Sequence, residues 1–136
     1  MRIEIGTQTV EQVKQKALEQ IREEKLKARD GGVLVNGILF DSDSSARIAY
    51  NELALLLGND PSYIVRDWKA SDGVWVTMNL PLYNTLMEAG KSHISAIFSW
   101  HREREEAIEV AITSADTPIA AKAAIRELDL KFPAQG

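Results

Sequence analysis

The chain has 136 residues, a hydrophobic content of 45% and no cysteine. This is enough for one ordinary domain with its own core, and it excludes disulfides and thiolate metal sites. The formal net charge of −4 argues against nucleic acid as a partner, because phosphate binding depends on clustered lysine and arginine. No apolar run approaches the roughly 18 residues of a membrane span, so we expect a soluble protein with no membrane partner.

The first predicted element is an amphipathic helix over residues 9–29. Thr9 and Gln12 have the spacing of a capping box, in which each side chain bonds the amide of the other residue. Apolar residues follow at steps of three and four, and Gly31 and Gly32 are suited to the left-handed end of a helix. The preceding residues 2–8 are compatible with a short strand or an ordered tail.

Asn36 and Gly37 separate two short apolar runs and give the strongest local signal for a two-residue β-hairpin. A type I′ turn needs φ > 0 at both central residues, which Asn and Gly tolerate best. The acidic and hydroxyl side chains of residues 41–44 then end the second strand and can cap a helix. This second helix is predicted from about Ser44 to Leu57, closed by Gly58, with a buried stripe of Ile48, Ala49, Leu53, Leu56 and Leu57.

Two runs rich in β-branched and aromatic residues, 63–68 and 74–78, predict a second hairpin with Gly73 in its loop. One four-stranded sheet and two separate ribbons are both compatible with the pattern. In either case each hairpin must pack on a helix, because an isolated hairpin is marginal in water. At least one of Trp68 and Trp75 must lie in the core, and a core position is favoured for Trp75.

The longest predicted helix covers residues 79–113, and a last helix covers 117–129. The apolar stripe of the long helix fails at the polar residues 101–106 and resumes at Ile108 and Ile112. We therefore expect the last helix to fold back on this end, and the same end to contact a second copy or a partner protein. Because tryptophan is enriched in binding hot spots, the candidate protein-interface residues are Trp68, Trp100, Ile108 and Ile112.

These elements predict an α+β protein with a single domain over residues 1–136. It comprises an N-terminal helix (9–29), a hairpin–helix–hairpin region (33–78), a long helix (79–113) and a short last helix (117–129).

Few residues suggest metal binding. His93 and His101 are the only histidines, and eight residues of helix separate them by about 12 Å, too far to share a metal ion. Asp41 and Asp43 alternate like the first ligands of a calcium loop, but Ala46 stands where that loop needs glycine. Helix capping is therefore the favoured role of these two carboxylates.

Catalytic patterns are equally sparse. Glu105 and Glu109 form an i,i+4 pair that could act as acid and base only in a dry cleft. We predict no catalytic residue, no metal and no cofactor, and we keep a small enzyme of unknown reaction as the alternative.

Two blocks carry a resemblance to a known family. The first runs from Gly32 through the Asn36-Gly37 turn to Ile48, and the second from Trp68 to Met78. With the long helix that follows, they resemble a domain family of tailed bacteriophages and prophages that is often encoded beside tail fibres. The resemblance covers about residues 12–112, and the family's usual Thr-Leu-Thr helix start is replaced here by residues 77–79.

The resemblance implies a non-enzymatic tail-fibre assembly chaperone or a small tail or baseplate subunit. The implied partner is a tail fibre or another tail protein. The implied location is the host cytoplasm during assembly, or the virion tail.

Overall fold

The computed structural model describes residues 8–135, and these contain four helices and two small antiparallel sheets of two strands each. The α+β class is therefore confirmed. The choice between strand and tail for residues 2–8 falls almost entirely outside the described residues. The helices are α1 (Val10–Asp30), α2 (Ser44–Asn59), α3 (Leu80–Thr113) and α4 (Pro118–Arg126).

The two hairpins form separate ribbons. β1 (Val33–Val35) pairs with β2 (Ile38–Phe40), and β3 (Val65–Lys69) pairs with β4 (Trp75–Met78). Asn36 has φ 51° and Gly37 has φ 80°, so both central residues of the first turn have the positive φ that its sequence predicts. In the second hairpin, Gly73 has φ 82° and the register shifts between Val65 and Trp68.

Side-chain oxygen atoms cap the helix starts as the sequence predicts. The amide of Gln12 donates to Thr9 Oγ1 at 3.0 Å, and the amide of Thr9 donates to Gln12 Oε1 at 2.9 Å. Asp43 accepts from the amide of Ala46 to begin α2, and Thr117 accepts from the amide of Ala120 to begin α4. The end of α2 differs from the prediction, because the helix continues through Gly58 to Asn59.

The chain divides into two compact units. The helical unit comprises the residues up to Lys25 together with Phe98–Phe132. The hairpin unit comprises Leu26–Ile97 and the residues from Pro133 onward. Helices α1 and α3 each contribute residues to both units.

The core of the helical unit joins α1, the second half of α3 and the segment after α4. Trp100 packs edge-on against Phe132, with ring centroids 5.6 Å apart and planes at 84°. The end of the chain thus folds back on α3, as predicted. The buried members of this core are Ala17, Ile21, Trp100, Ile108 and Leu130, and Leu18, Ile112, Ile125, Leu128 and Phe132 pack against them.

The structure corrects the assignment of Trp100 and Ile108 to an intermolecular surface. Ile108 is 0% exposed and Trp100 is buried, while Ile112 is half-buried against the same core. The physical reason is that α1 and the segment after α4 already supply apolar partners for this part of α3.

The hairpin unit has its own core, to which both ribbons, α2 and the first half of α3 contribute. Trp68 is half-buried and stacks on Tyr50, with ring centroids 5.8 Å apart. It therefore packs partly against the core and stays partly exposed, and its assignment to an interface stays a prediction. Trp75, favoured as the core tryptophan, is 60% exposed. The buried members are Val33, Val35, Phe40, Tyr50, Leu53, Leu57, Ala70, Met78 and Leu86.

Candidate protein-binding surface

Helix α2 carries apolar side chains on two opposite faces. At 100° per residue, Tyr50, Leu53 and Leu57 share the face that packs on the core of the hairpin unit. Ile48 and Leu55, seven residues apart, lie on the opposite side and are 60% and 72% exposed. We call Ile48, Glu52 and Leu55 the outer face of α2. The sequence pattern places Ile48 and Leu56 in the buried stripe, but both are exposed in the structure.

Hydrogen bonds hold α2 in this rotation. The hydroxyl of Tyr50 donates to the carbonyl oxygen of Asp41 at 2.6 Å. Burial, followed by the nearby Asp41 and Asp43 carboxylates, raises the pKa of Tyr50 to about 12. The neutral phenol is therefore the form that the folded chain stabilises. Since Tyr50 is fixed against Asp41, the residues on the opposite side of α2 point away from the core.

A polar network joins the end of α1 to the start of α2. Ser42 Oγ donates to the carbonyl of Arg29 at 2.6 Å and accepts from the amide of Gly32 at 2.8 Å. Arg47 donates from Nη1 to Asp30 Oδ1 at 3.0 Å and to the carbonyl of Ser42 at 2.6 Å. The hydrogen bond from Arg47 lowers the pKa of the Asp30 carboxyl. Ser42 is thus a buried polar residue with a structural role.

The two sequence blocks that carry the resemblance contact each other. The carboxylate of Asp41 accepts a hydrogen bond from the hydroxyl of Ser71. The amide of Ser71 donates to the carbonyl of Leu39 at 2.9 Å. Asp41 therefore helps to join the two ribbons, and Asp43 caps the start of α2. These are the two carboxylates whose spacing resembles that of a calcium loop.

The outward side of the second ribbon carries a further exposed aromatic residue. Trp75 pairs with Lys69 across the ribbon, and Lys69 Nζ lies 5.5 Å from the Trp75 ring centroid. Trp68 pairs with Val76 and packs on the core. The side chain of Trp75 is therefore presented to solvent with a cation over its ring.

The residues considered for catalysis do not form a dry cleft. Glu109 pairs with Lys14 at 2.6 Å, and the side chain of Glu109 is 52% exposed. This hydrogen bond raises the pKa of the Lys14 ammonium. Glu105 lies 3.9 Å from His101 and is also more than half exposed. Neither Glu105 nor Glu109 is therefore a desolvated carboxylate suited to acid–base chemistry.

The histidines are separate in the structure as well. His93 is buried, and its Nε2 lies 3.0 Å from the carbonyl oxygen of Ala28, which anchors α3 to α1 within the hairpin unit. Among residues 8–135, no group of three or more His, Asp or Glu side chains is placed to hold a metal ion. Within the same residues, no helix has the length and apolar character needed to cross a membrane.

The fold and this surface define a small α+β domain of four described helices and two ribbons, with one helix apolar on both sides. A family model described as "Domain of unknown function (DUF4376)" matches residues 12–126, and the chain belongs to that family. Comparison with curated proteins and with solved structures gives no match.

Proposed function

We propose that this chain is a non-enzymatic protein-binding domain that acts in tail-fibre assembly of a tailed bacteriophage. It works either as an assembly chaperone in the host cytoplasm or as a small subunit of the tail or baseplate. The support for the phage context is the resemblance of the two blocks around Asn36-Gly37 and Trp68-Gly73. The observation that carries protein binding is the outer face of α2.

The outer face of α2 has an apolar surface that the described chain leaves uncovered. Apolar side chains seven residues apart on one helix face have the spacing with which a helix docks into an apolar groove of a partner. Burying an isoleucine or leucine side chain is worth roughly 1.5–3 kcal/mol, so Ile48 and Leu55 together can supply a useful part of a binding free energy. A partner with a complementary apolar surface is the simplest reason for this arrangement.

A different protein fits this face better than a second copy. Glu52 lies midway between Ile48 and Leu55 and is exposed. A twofold axis through the centre of the stripe would bring the two Glu52 carboxylates together, and like charges at close range are destabilising. A heterologous partner can place a cation or a polar group opposite Glu52 instead.

The test is co-expression with a tail-fibre protein from the phage or prophage that encodes this chain, followed by co-purification. Ile48→Gln/Leu55→Gln removes the apolar stripe and keeps good helix formers. The matched control is Val110→Gln/Ile119→Gln, which changes two exposed apolar helical residues of the helical unit. We expect that the fibre protein does not co-purify with Ile48→Gln/Leu55→Gln and does co-purify with the control variant.

Failure of the wild-type protein to co-purify with the fibre protein would contradict the proposal, as would equal retention by both double variants. Light scattering of the purified chain tests the second-copy alternative, for which Ile48→Gln/Leu55→Gln would convert a dimer to a monomer. Mass spectrometry of purified particles then separates the two roles, because only a tail or baseplate subunit remains in the virion.

A further inference from the structure

The helical unit has a groove between α1 and α4, with a volume of about 310 Å³. Its apolar surface comes from Val13, Ala17 and Ile125. Its cations are Lys16, Lys122 and Arg126, which line it from both helices. Gln8 and Gln20 also line it, and among residues 8–135 no carboxylate side chain takes part.

The lining follows from helix periodicity. On α1, Val13, Ala17 and Gln20 recur at steps of four and three, with Lys16 beside Ala17. On α4, Lys122 precedes Ile125 by three residues and Arg126 by four. Residues at these spacings share one face of a helix. α1 therefore contributes two apolar residues and one cation to the groove, and α4 contributes one apolar residue and two cations, so apolar and basic side chains line it from both helices.

Among residues 8–135, the three groove cations have no acidic partner, a property that they share with Lys25 and Lys131 of the same unit. Elsewhere in the helical unit, Arg22 pairs with Glu19 at 3.3 Å and Arg102 pairs with Glu106 at 3.0 Å. Among residues 8–135, no carboxylate oxygen lies within 4.0 Å of the charged groups of Lys16, Lys122 or Arg126. In a chain with a net charge of −4, this is a local concentration of uncompensated positive charge.

We infer that this groove binds a segment of a partner protein in which acidic side chains alternate with apolar ones. Carboxylates of the segment pair with the cations of the two helices, and an apolar side chain between them rests on Val13, Ala17 and Ile125. Charge complementarity of this kind sets the register of the segment and accelerates its association. This inference rests on the proposed protein-binding function and adds a second contact site, in the other unit.

A protein segment fits the groove better than a metabolite or a nucleic acid. Sites for small ligands bury most of the ligand surface, whereas Lys16 and Arg126 are exposed and leave the groove open. Single-stranded nucleic acid is held by aromatic stacking as well as charge, and none of the described residues that line the groove is aromatic. The apolar residues of the lining match side chains of a peptide.

The probe is a fluorescein-labelled Ser-Glu-Leu-Glu-Leu-Glu-Ser peptide, with a second peptide carrying Gln in place of every Glu. Binding to the full chain is measured by fluorescence polarisation. The groove variant is Lys16→Gln/Lys122→Gln/Arg126→Gln. The matched control, Lys27→Gln/Arg102→Gln/Lys131→Gln, removes two lysines and one arginine from exposed positions outside the groove lining. Both variants change the net charge equally, so general electrostatic attraction is the same in the two.

We expect saturable binding of the Glu peptide that weakens with added salt, and weaker binding of the Gln peptide. The groove variant should raise the Kd roughly tenfold or more, and the control should change it by less than about twofold. Circular dichroism and melting temperature should show both variants folded, because the substituted side chains are at the surface.

Three results would overturn the inference: no saturable binding of the Glu peptide up to about 1 mM, an equal loss in the groove and control variants, or tighter binding of an oligothymidine with the same dependence on the groove cations. Peptide binding by Ile48→Gln/Leu55→Gln must remain at the wild-type level. The proposal for the groove and the proposal for the outer face of α2 can therefore be refuted independently.

Discussion

The hairpin unit and the helical unit are built by different means. In the hairpin unit, short segments decide the local structure: the Asn36-Gly37 turn, the Asp43 cap and the Gly73 loop each act within a few residues. In the helical unit the core unites Ala17, Ile108 and Leu130, which are distant in the chain. The first unit thus depends on backbone geometry at particular positions, and the second on long-range apolar packing.

The two units also offer different surfaces. The hairpin unit presents apolar side chains at Ile48, Leu55 and Trp75. The helical unit offers a groove edged by Lys16, Lys122 and Arg126. A partner that used both would gain apolar burial from one and charge complementarity from the other.

The largest effect is expected in the core of the helical unit. Ile108→Asp should lower the free energy of unfolding by about 3–5 kcal/mol, because the new carboxylate would be buried without a partner. Val110→Asp is the matched control, since Val110 is two residues further along α3 and 67% exposed. Urea denaturation followed by circular dichroism measures both variants. Equal effects of the two substitutions would mean that Ile108 lies at the surface.

An intermediate effect is expected at the first turn of the hairpin unit. Gly37→Val should destabilise the fold by roughly 1–3 kcal/mol, since a β-branched residue is strained at φ 80°. No atom lies within 4 Å of a Cβ placed there, so the cost comes from the backbone alone.

Gly58→Val separates backbone strain from a general effect of replacing glycine. Gly58 is helical, and a Cβ there also meets no atom within 4 Å. Valine and glycine differ little in helix propensity, so this variant should stay within about 0.5 kcal/mol of the wild-type protein. If Gly58→Val were as costly as Gly37→Val, the argument from positive φ would be wrong.

The smallest effect is expected at Tyr50 and depends on pH. Tyr50→Phe removes the hydrogen bond to the Asp41 carbonyl and should cost about 1 kcal/mol near neutral pH. Because the folded-state pKa of Tyr50 is raised to about 12, its stabilising contribution is complete below the unfolded pKa, near 10. It is then lost as the pH rises towards 12.

The measurement is the free energy of unfolding of wild-type and Tyr50→Phe proteins between pH 9 and 12, the range suggested by these pKa values. The difference between their free energies of unfolding should become smaller as the pH rises. Tyr63→Phe serves as the control for ionisation of tyrosine in general. If this difference in the free energy of unfolding stayed constant over the range, burial would not hold the Tyr50 phenol neutral.

The starts of the helices and the turns of both hairpins could be predicted from the sequence because their causes are local. Thr9 and Gln12 bond each other across three residues, and Asn36-Gly37 needs only its own backbone angles. The α+β class follows from these elements. The return of the last segment onto α3 was predicted because the apolar stripe of α3 resumes at Ile108 and Ile112 and needs a partner. The phage context and the absence of enzymatic activity stay predictions.

The faces of the elements could not be predicted in the same way. Helix α2 is apolar on both sides, so its sequence does not distinguish Tyr50, which is buried, from Ile48, which is exposed. In the second ribbon, the register that pairs Trp68 with Val76 sends Trp75 to the opposite face. A change of register by one residue would exchange the two faces, so the pairing decides which tryptophan lies in the core.

Apart from the return of the last segment onto α3, contacts between distant residues were decided by the tertiary structure alone. Gln135 donates to the carbonyl of Gly32 and accepts from the amide of Leu34, and so covers the edge of β1 from the far end of the chain. Lys16 and Arg126 line one groove although each looks like an ordinary solvated cation in its own helix. Local patterns specify where helices and turns begin, since those interactions span a few residues. The candidate binding surfaces arise only where packing brings distant faces together or leaves one uncovered.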